Sequence, residues 1–156
     1  MLVAEKTAIE SMEKPALIEG SRAAVMFHHV GGIMNTHVET VESSKKFSEA
    51  TRLMDEKDTG YLVVLENREP IGIITKKDVY RRVIANDLDT EKLTAGQIMS
   101  KPLITLSPNG SIEDAAKLMI THNIGKVPII EGSTIVGIVT ETELIKTLWN
   151  LLFLLP

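Results

Sequence analysis

Gly72-Ile73-Ile74-Thr75-Lys76-Lys77-Asp78 and Gly137-Ile138-Val139-Thr140-Glu141-Thr142-Glu143 are two forms of one phrase, set 65 residues apart. Each reads as a β-branched strand running into a Thr that can cap a following helix, so a small residue, a hydroxyl and a carboxylate gather around one helix N-terminus. Such a place suits an anion. The same offset, without a gap, carries Gly31 onto Gly96, Ile33-Met34 onto Ile98-Met99, Thr40 onto Thr105, Ala50 onto Ala115 and Leu53-Met54 onto Leu118-Met119. It continues through Gly60 on Gly125 and Glu66 on Glu131. A register held over about fifty positions is a tandem duplication.

Working outward from the repeated phrase, each half reads strand, helix, strand, strand, helix. In the first, Val38 to Val41 is a short strand, and Phe47, Ala50, Leu53 and Met54 line one face of a helix ending near Asp58. Tyr61 to Leu65 and Ile71 to Ile74 are strands about a polar turn, and a second helix runs from Lys76 to about Ala85. The second half repeats this with strand Leu103 to Leu106, helix Ile112 to Thr121, strands Val127 to Ile130 and Ile135 to Val139, and a helix from Glu141. Ser111 can cap its helix with Asp114, whereas the matching Lys46 cannot supply that cap. Gly60 and Gly125 read as helix ends or tight turns.

The expected organisation is an extension over 1–27 with a short helix after Pro15, modules over 28–85 and 95–148, a polar linker over 86–94, and an apolar tail over 149–156. A small module with nearly continuous apolar strands cannot cover its sheet alone. The two should pack sheet to sheet, leaving clefts where the duplicated helix starts meet the interface. The tail, Trp149 to Pro156, calls for a cover, either this chain or a second copy, rather than a membrane surface, because it lacks a polar face.

Composition narrows the function. A net charge of -4 over 156 residues argues against a general nucleic-acid surface. The absence of cysteine removes disulfides, zinc-thiolate sites and a thiol nucleophile. No secretory signal and no membrane-length apolar run are visible, and a cytoplasmic setting is expected. His28, His29 and His37 do not form a metal set, since adjacent histidines diverge on either regular element. P-loop, Rossmann and nucleophile-elbow patterns are missing.

The duplicated set, IM…T(V/L)…(E/D)A..LM, then G…(V/P)(V/I), then G-I-(I/V)-T-x-x-(D/E), resembles a tandem pair of cystathionine β-synthase (CBS) domains over about three quarters of the chain. The resemblance implies an α/β (α+β) fold of two β-α-β-β-α modules in a pseudo-two-fold pair. It also implies a non-catalytic regulatory role, a homodimer, and an adenosyl ligand such as AMP, ADP, ATP or S-adenosylmethionine, with no catalytic cofactor. In the family motif the Thr contacts phosphate and the Asp contacts ribose. Gly72, Thr75 and Asp78 match all three positions; Gly137 and Thr140 match, but Glu143 stands where Asp is expected.

By the same resemblance, the base slot at the first site uses Thr36, Val38, Thr40, Tyr61 and Ile74. At the second it uses Thr105, Lys126, Pro128 and Val139. A local alternative exists for both motifs: Thr75-x-x-Asp78 and Thr140-x-x-Glu143 are close to capping boxes that need no ligand. Tyr61 suits a strand as well as a stacked base, and Lys126 suits solvent as well as phosphate. Lys76 and Lys77 separate the two sites, since cations in a first helical turn oppose the macrodipole unless an anion sits there. Arg81 and Arg82 add charge toward the cleft or water. The first site is therefore the expected anion site. The rival readings are an interaction or assembly module with vestigial clefts, whose working part is the apolar C-terminal tail, and a nucleotide-hydrolysing enzyme; an effector protein is a further expected partner.

Overall fold

The computed structural model describes residues 29–153. The helix expected after Pro15, residue His28, and residues 154–156 of the tail lie outside that span.

In the first module, strand β1 (Thr40–Glu42), helix α1 (Phe47–Glu56), strands β2 (Tyr61–Glu66) and β3 (Glu69–Thr75) and helix α2 follow in order. Helix α2 is α-helical over Lys76–Asp78 and π-helical over Val79–Ile84. A short helix α3 (Ala95–Ile98) follows, then α4 (Ile112–His122), β4 (Lys126–Glu131), β5 (Thr134–Thr140) and α5 (Glu141–Phe153). β1 lies parallel to β2, and β2 is antiparallel to β3, with a register shift at Val64/Leu65. β4 and β5 are antiparallel with the shift at Ile129/Ile130, the same two positions 65 residues on.

The two halves do not fold as separate beads. The core of the first module, around Phe47, Ala50, Leu62, Val64 and Ile74, is completed by Ala95, Ile98 and Met99 from the start of the second repeat. The core of the second, around Ala115, Val127, Ile129 and Val139, is completed by Val30, Ile33 and Met34 from the start of the first. Backbone bonds tie these exchanged segments down in matched pairs. Gly31 N–H donates to Pro108 O at 3.0 Å and Gly96 N–H to Ser43 O at 2.8 Å. Asn35 exchanges two bonds with Ile138, both 2.9 Å, and Ser100 two with Ile73, 2.8 and 3.1 Å. Every partner shifts by the same offset, so the pseudo-two-fold axis is written in hydrogen bonds as well as in sequence.

Between the sheets lies a third apolar cluster, Tyr61, Val63 and Ile138 with Val38, Leu65, Ile73, Leu103 and Ile135. It joins the modules sheet to sheet, since alternate residues of each strand face the module's own core and the partner sheet. Gly72 permits the close seating of the exchanged segment on β3: a Cβ there would lie 2.6 Å from Met99 Sδ and 2.8 Å from Ser100 O.

Several local expectations change. The strand expected over Leu103 to Leu106 is reduced to one parallel bridge, Leu106 with Ile129. In the first module Val63 N–H donates to Glu39 O at 3.0 Å; the position matching Val63 is Pro128, which has no N–H to give. Helices α1 and α4 are ended not by Gly60 and Gly125 but by left-handed Asp58 (φ 48°) and Asn123 (φ 52°). Lys46 does lack a capping side chain, yet half of the reciprocal cap survives, because its N–H donates to Glu49 at 3.1 Å. Helix α5 runs on into the expected tail as far as Phe153, and the described residues leave Trp149, Leu152 and Phe153 exposed.

Candidate functional site

Thr75 closes β3 in extended conformation and caps α2. Its Oγ accepts from Asp78 N–H at 3.3 Å, while the Asp78 carboxylate accepts from Thr75 N–H and Thr75 Oγ, both at 2.8 Å. The local capping reading is thus realised. Asp78 does more than cap, however. Its second oxygen accepts from Ser100 Oγ at 2.6 Å and lies 3.5 Å from Arg82 Nε, and Arg82 Nη2 also reaches Ser100 Oγ at 3.3 Å. A carboxylate left 8% exposed needs such hydrogen-bond partners to offset its lost hydration. Ser100 belongs to the exchanged segment, so this network ties the start of the second repeat to the first helix. No pattern in the sequence announces Ser100, which comes to Asp78 only through the exchange.

The second motif makes the plain cap. Glu143 accepts from Thr140 N–H at 2.9 Å and from Thr140 Oγ. Asn35, standing where Ser100 would be, spends its carbonyl on His37 N–H at 2.9 Å. Thr147, in place of Arg82, is buried and donates to Glu143 O at 2.8 Å. The surroundings are acidic: burial first, then Glu143 and Glu39, push the Tyr61 phenol up to about 12.

A cleft of about 810 Å³ opens between the modules beside Thr75 and Asp78. Its apolar wall comes from Ile73 and, across the interface, Pro102, Leu103, Ile104, Ile124 and Pro128. Lys77, Arg81, Arg82 and Lys126 supply positive charge, and Asp78 and Glu141 negative. The volume suits a ligand of nucleotide size.

This placement crosses the expected slots. Thr75 and Asp78 share a cleft with Pro128 and Lys126, which the sequence assigned to the other site. Tyr61, Val38, Thr40, Thr36 and Thr105 do not line it. Val38 and Tyr61 belong to the inter-sheet cluster, Tyr61 close enough to Glu143 to feel its charge. Thr40 pairs with Val63 in the sheet, Thr36 is exposed and Thr105 half-buried. Ile74 and Val139 are fully buried in the cores of their own modules and reach no cleft; Ile73 faces it instead, because side chains alternate along a strand. Gly72 and Gly137 serve close packing, against Met99 and Met34. Lys76 lies off the lining, although its Cε and that of Lys126 both come within 3.9 Å of a Cβ built at Gly60. Lys126 and both arginines face the cleft, not only water. His29 Nδ1 meets Asn109 O at 2.9 Å and His37 pairs with Glu39 at 2.7 Å. Among the described residues no three His, Asp or Glu gather as a metal set.

Fold and cleft define a duplicated α+β module pair whose pocket is built by both repeats. The chain belongs to the CBS domain family, whose model matches residues 30–85 and 95–150. The CBS domain-containing protein YhcV of Bacillus subtilis is 34% identical over 111 residues, covering 71% of this chain and 79% of that protein. Hypoxic response protein 1 of Mycobacterium tuberculosis is 30% identical over 117 residues, 74% of this chain and 82% of that one. An uncharacterised conserved protein of Pyrococcus horikoshii has a solved structure with a TM-score of 0.72 at 34% identity, covering 78% of this chain and 92% of its own. Some relatives are much longer: the chain spans 31% of a Methanocaldococcus jannaschii protein that is 31% identical over 135 residues.

Proposed function

We propose that the chain is a non-catalytic regulatory module that binds an adenine nucleotide or another adenosyl ligand, such as S-adenosylmethionine, in the cleft beside Thr75 and Asp78. The observation that carries this reading is the cleft itself, in which the first module's polar motif faces the second module's Pro102, Leu103, Ile104 and Pro128. An apolar slot with a few convergent polar groups is what a purine nucleoside asks for. Pro128 adds a specific element: lacking an N–H, it makes no bond to the Ile104 carbonyl of the kind Val63 makes to Glu39. That carbonyl is thereby available to an exocyclic amine, which is a hydrogen-bond donor.

Signalling follows from a pocket with walls on both repeats. A ligand that touches both favours one arrangement of the pair over others, with a typical coupling of about 1–3 kcal/mol. Thermal melting with AMP, ADP, ATP, S-adenosylmethionine and NAD tests the reading. A ligand at a hundredfold excess over its Kd stabilises by about 2.7 kcal/mol and raises the melting temperature. A flat panel at millimolar concentration overturns it in favour of an assembly module.

One observation favours self-association alongside ligand binding. Tyr80, Ile84 and Leu88 are exposed along and just beyond α2, and Ile145, Trp149 and Phe153, at the same offset, are exposed along α5. Trp149 and Phe153 stack with ring centroids 4.3 Å apart. Flanking charges differ between the two helices while this apolar stripe persists, and a face displayed twice about a two-fold axis is self-complementary. We assign it to a homodimer, through which an effector protein can read the cleft. The solved hexameric CBS-CP12 protein from bloom-forming cyanobacteria, 30% identical with a TM-score of 0.71, is an assembly of related chains. Among the described residues no helix is long and apolar enough to cross a membrane.

A further inference from the structure

We propose that the cleft beside Thr75 and Asp78 selects a ligand with two or three phosphates, and that Lys77, Arg81 and Lys126 read the phosphates beyond the first. The inference rests on the adenosyl reading for base and sugar, and adds which member of that class fits.

On a chain of net charge -4, this cleft gathers Lys77, Arg81, Arg82 and Lys126 against Asp78 and Glu141. The acidic members pair with Arg82 alone: among the described residues Glu141, although it lines the cleft, forms no ion pair with Lys77, Arg81 or Lys126. Asp78 is committed to Thr75, Ser100 and Arg82. Lys77 has only the Asn123 carbonyl, at 3.5 Å, and among the described residues Arg81 and Lys126 form no ion pair.

Arg82 has a structural partner in Asp78, but folding gives no such reason for Lys77, Arg81 and Lys126. At the positions related by the offset of 65 stand Thr142, Lys146 and Thr147 of the second repeat and, for Lys126, Tyr61 of the first, so the fold forms at those positions with one cation of the four. Lys77 stands in the first turn of α2, where the helix dipole disfavours a cation and an anion would reverse that sign. Arg81 and Arg82 are consecutive yet both line the cleft, and they do so on a π-helical turn, an irregularity concentrated at functional sites. The matching stretch of α5 is regular α-helix, with Thr147 turned inward.

A monophosphate carries roughly two negative charges and leaves at least one of Lys77, Arg81 and Lys126 without a counter-charge, and the sulfonium and amine of S-adenosylmethionine would be repelled by all three. A diphosphate or triphosphate can engage all three.

Calorimetric titration of the chain in low-salt, magnesium-free buffer tests the inference with adenosine, AMP, ATP, S-adenosylmethionine and inorganic triphosphate. ATP is expected to bind at least about tenfold tighter than AMP, with S-adenosylmethionine weakest of the three. Arg81→Ala/Lys126→Ala is expected to bring the ATP-to-AMP ratio toward one, whereas Lys146→Ala in the second repeat leaves the ratio where it was. AMP binding as tightly as ATP, or a ratio unmoved by the double variant, overturns the inference and leaves the adenosyl reading standing. Inorganic triphosphate that binds while no adenosine compound does overturns the adenosyl reading and keeps the phosphate site. Silence from all five overturns both.

Discussion

The Thr75–Asp78 and Thr140–Glu143 corners began as one sequence and now do different work. In both, the acid accepts from the Thr N–H and hydroxyl, while the Thr oxygen accepts from Asp78 N–H at the first corner and from Thr142 N–H at the second. Around the first, Ser100, Arg82 and a cluster of cations turn a cap into one wall of a cleft. Around the second, Asn35 and Thr147 are absorbed by backbone, and Glu143 and Glu39 make the neighbourhood acidic. A duplicated fold thus keeps what its packing needs at both corners and is free to vary the side chains around them.

The largest expected effect concerns that shared packing. Gly72→Ala pushes a methyl within 2.8 Å of the Ser100 carbonyl, which belongs to backbone, while the nearest backbone at Gly137 is Asn35 O at 3.1 Å. Urea denaturation is expected to show a loss of about 2–3 kcal/mol for Gly72→Ala and a smaller one for Gly137→Ala. Equal losses would mean that the two exchanged segments yield equally.

A smaller effect is expected from Pro128→Val, which returns the N–H that Val63 has. The Leu103–Leu106 stretch should then pair with β4 as β1 pairs with β2, and occupy the Ile104 carbonyl. Affinity for adenosine is expected to fall by about fivefold, the worth of roughly 1 kcal/mol of hydrogen bonding, while inorganic triphosphate is unaffected. Unchanged adenosine binding would remove that carbonyl from the site.

The smallest is spectroscopic and sharpens the second corner. Tyr61, raised to about 12 by burial and then by Glu143 and Glu39, should ionise late in an ultraviolet pH titration, and Glu143→Gln should bring it back part of the way. The sign carries to stability. The unfolded chain loses this proton near 10 and the folded chain near 12, so the contribution is whole below pH 10 and is lost between the two values. A phenol that titrates normally would contradict the acidic setting.

The offset of 65 made the fold readable, because it is local information repeated. Strands and helices followed from apolar spacing, and sheet-to-sheet packing from the need to cover two apolar faces. What escaped was non-local. Nothing in Val30, Met34, Ala95 or Met99 says whose core they complete, and nothing local says that the cleft beside Thr75 takes its far wall from Pro102, Leu103, Ile104 and Pro128 rather than from Thr36, Val38, Thr40 and Tyr61. Ile73, not Ile74, faces the cleft, since a shift of one residue reverses direction on a strand. Pro128 could have warned that the strand after Lys101 would not form, since its missing donor is visible in the sequence. Ser100 could not, because its partner Asp78 is 22 residues away and met only through the exchange.

The asymmetry between the two corners is tested most directly by titrating ATP into Asp78→Ala and Glu143→Ala proteins, with Asp78→Asn as a variant that keeps the side chain's shape. The account predicts about a tenfold or greater loss, 1.4 kcal/mol or more, for both Asp78 variants and less than about twofold for Glu143→Ala. Equal losses at the two corners would contradict it.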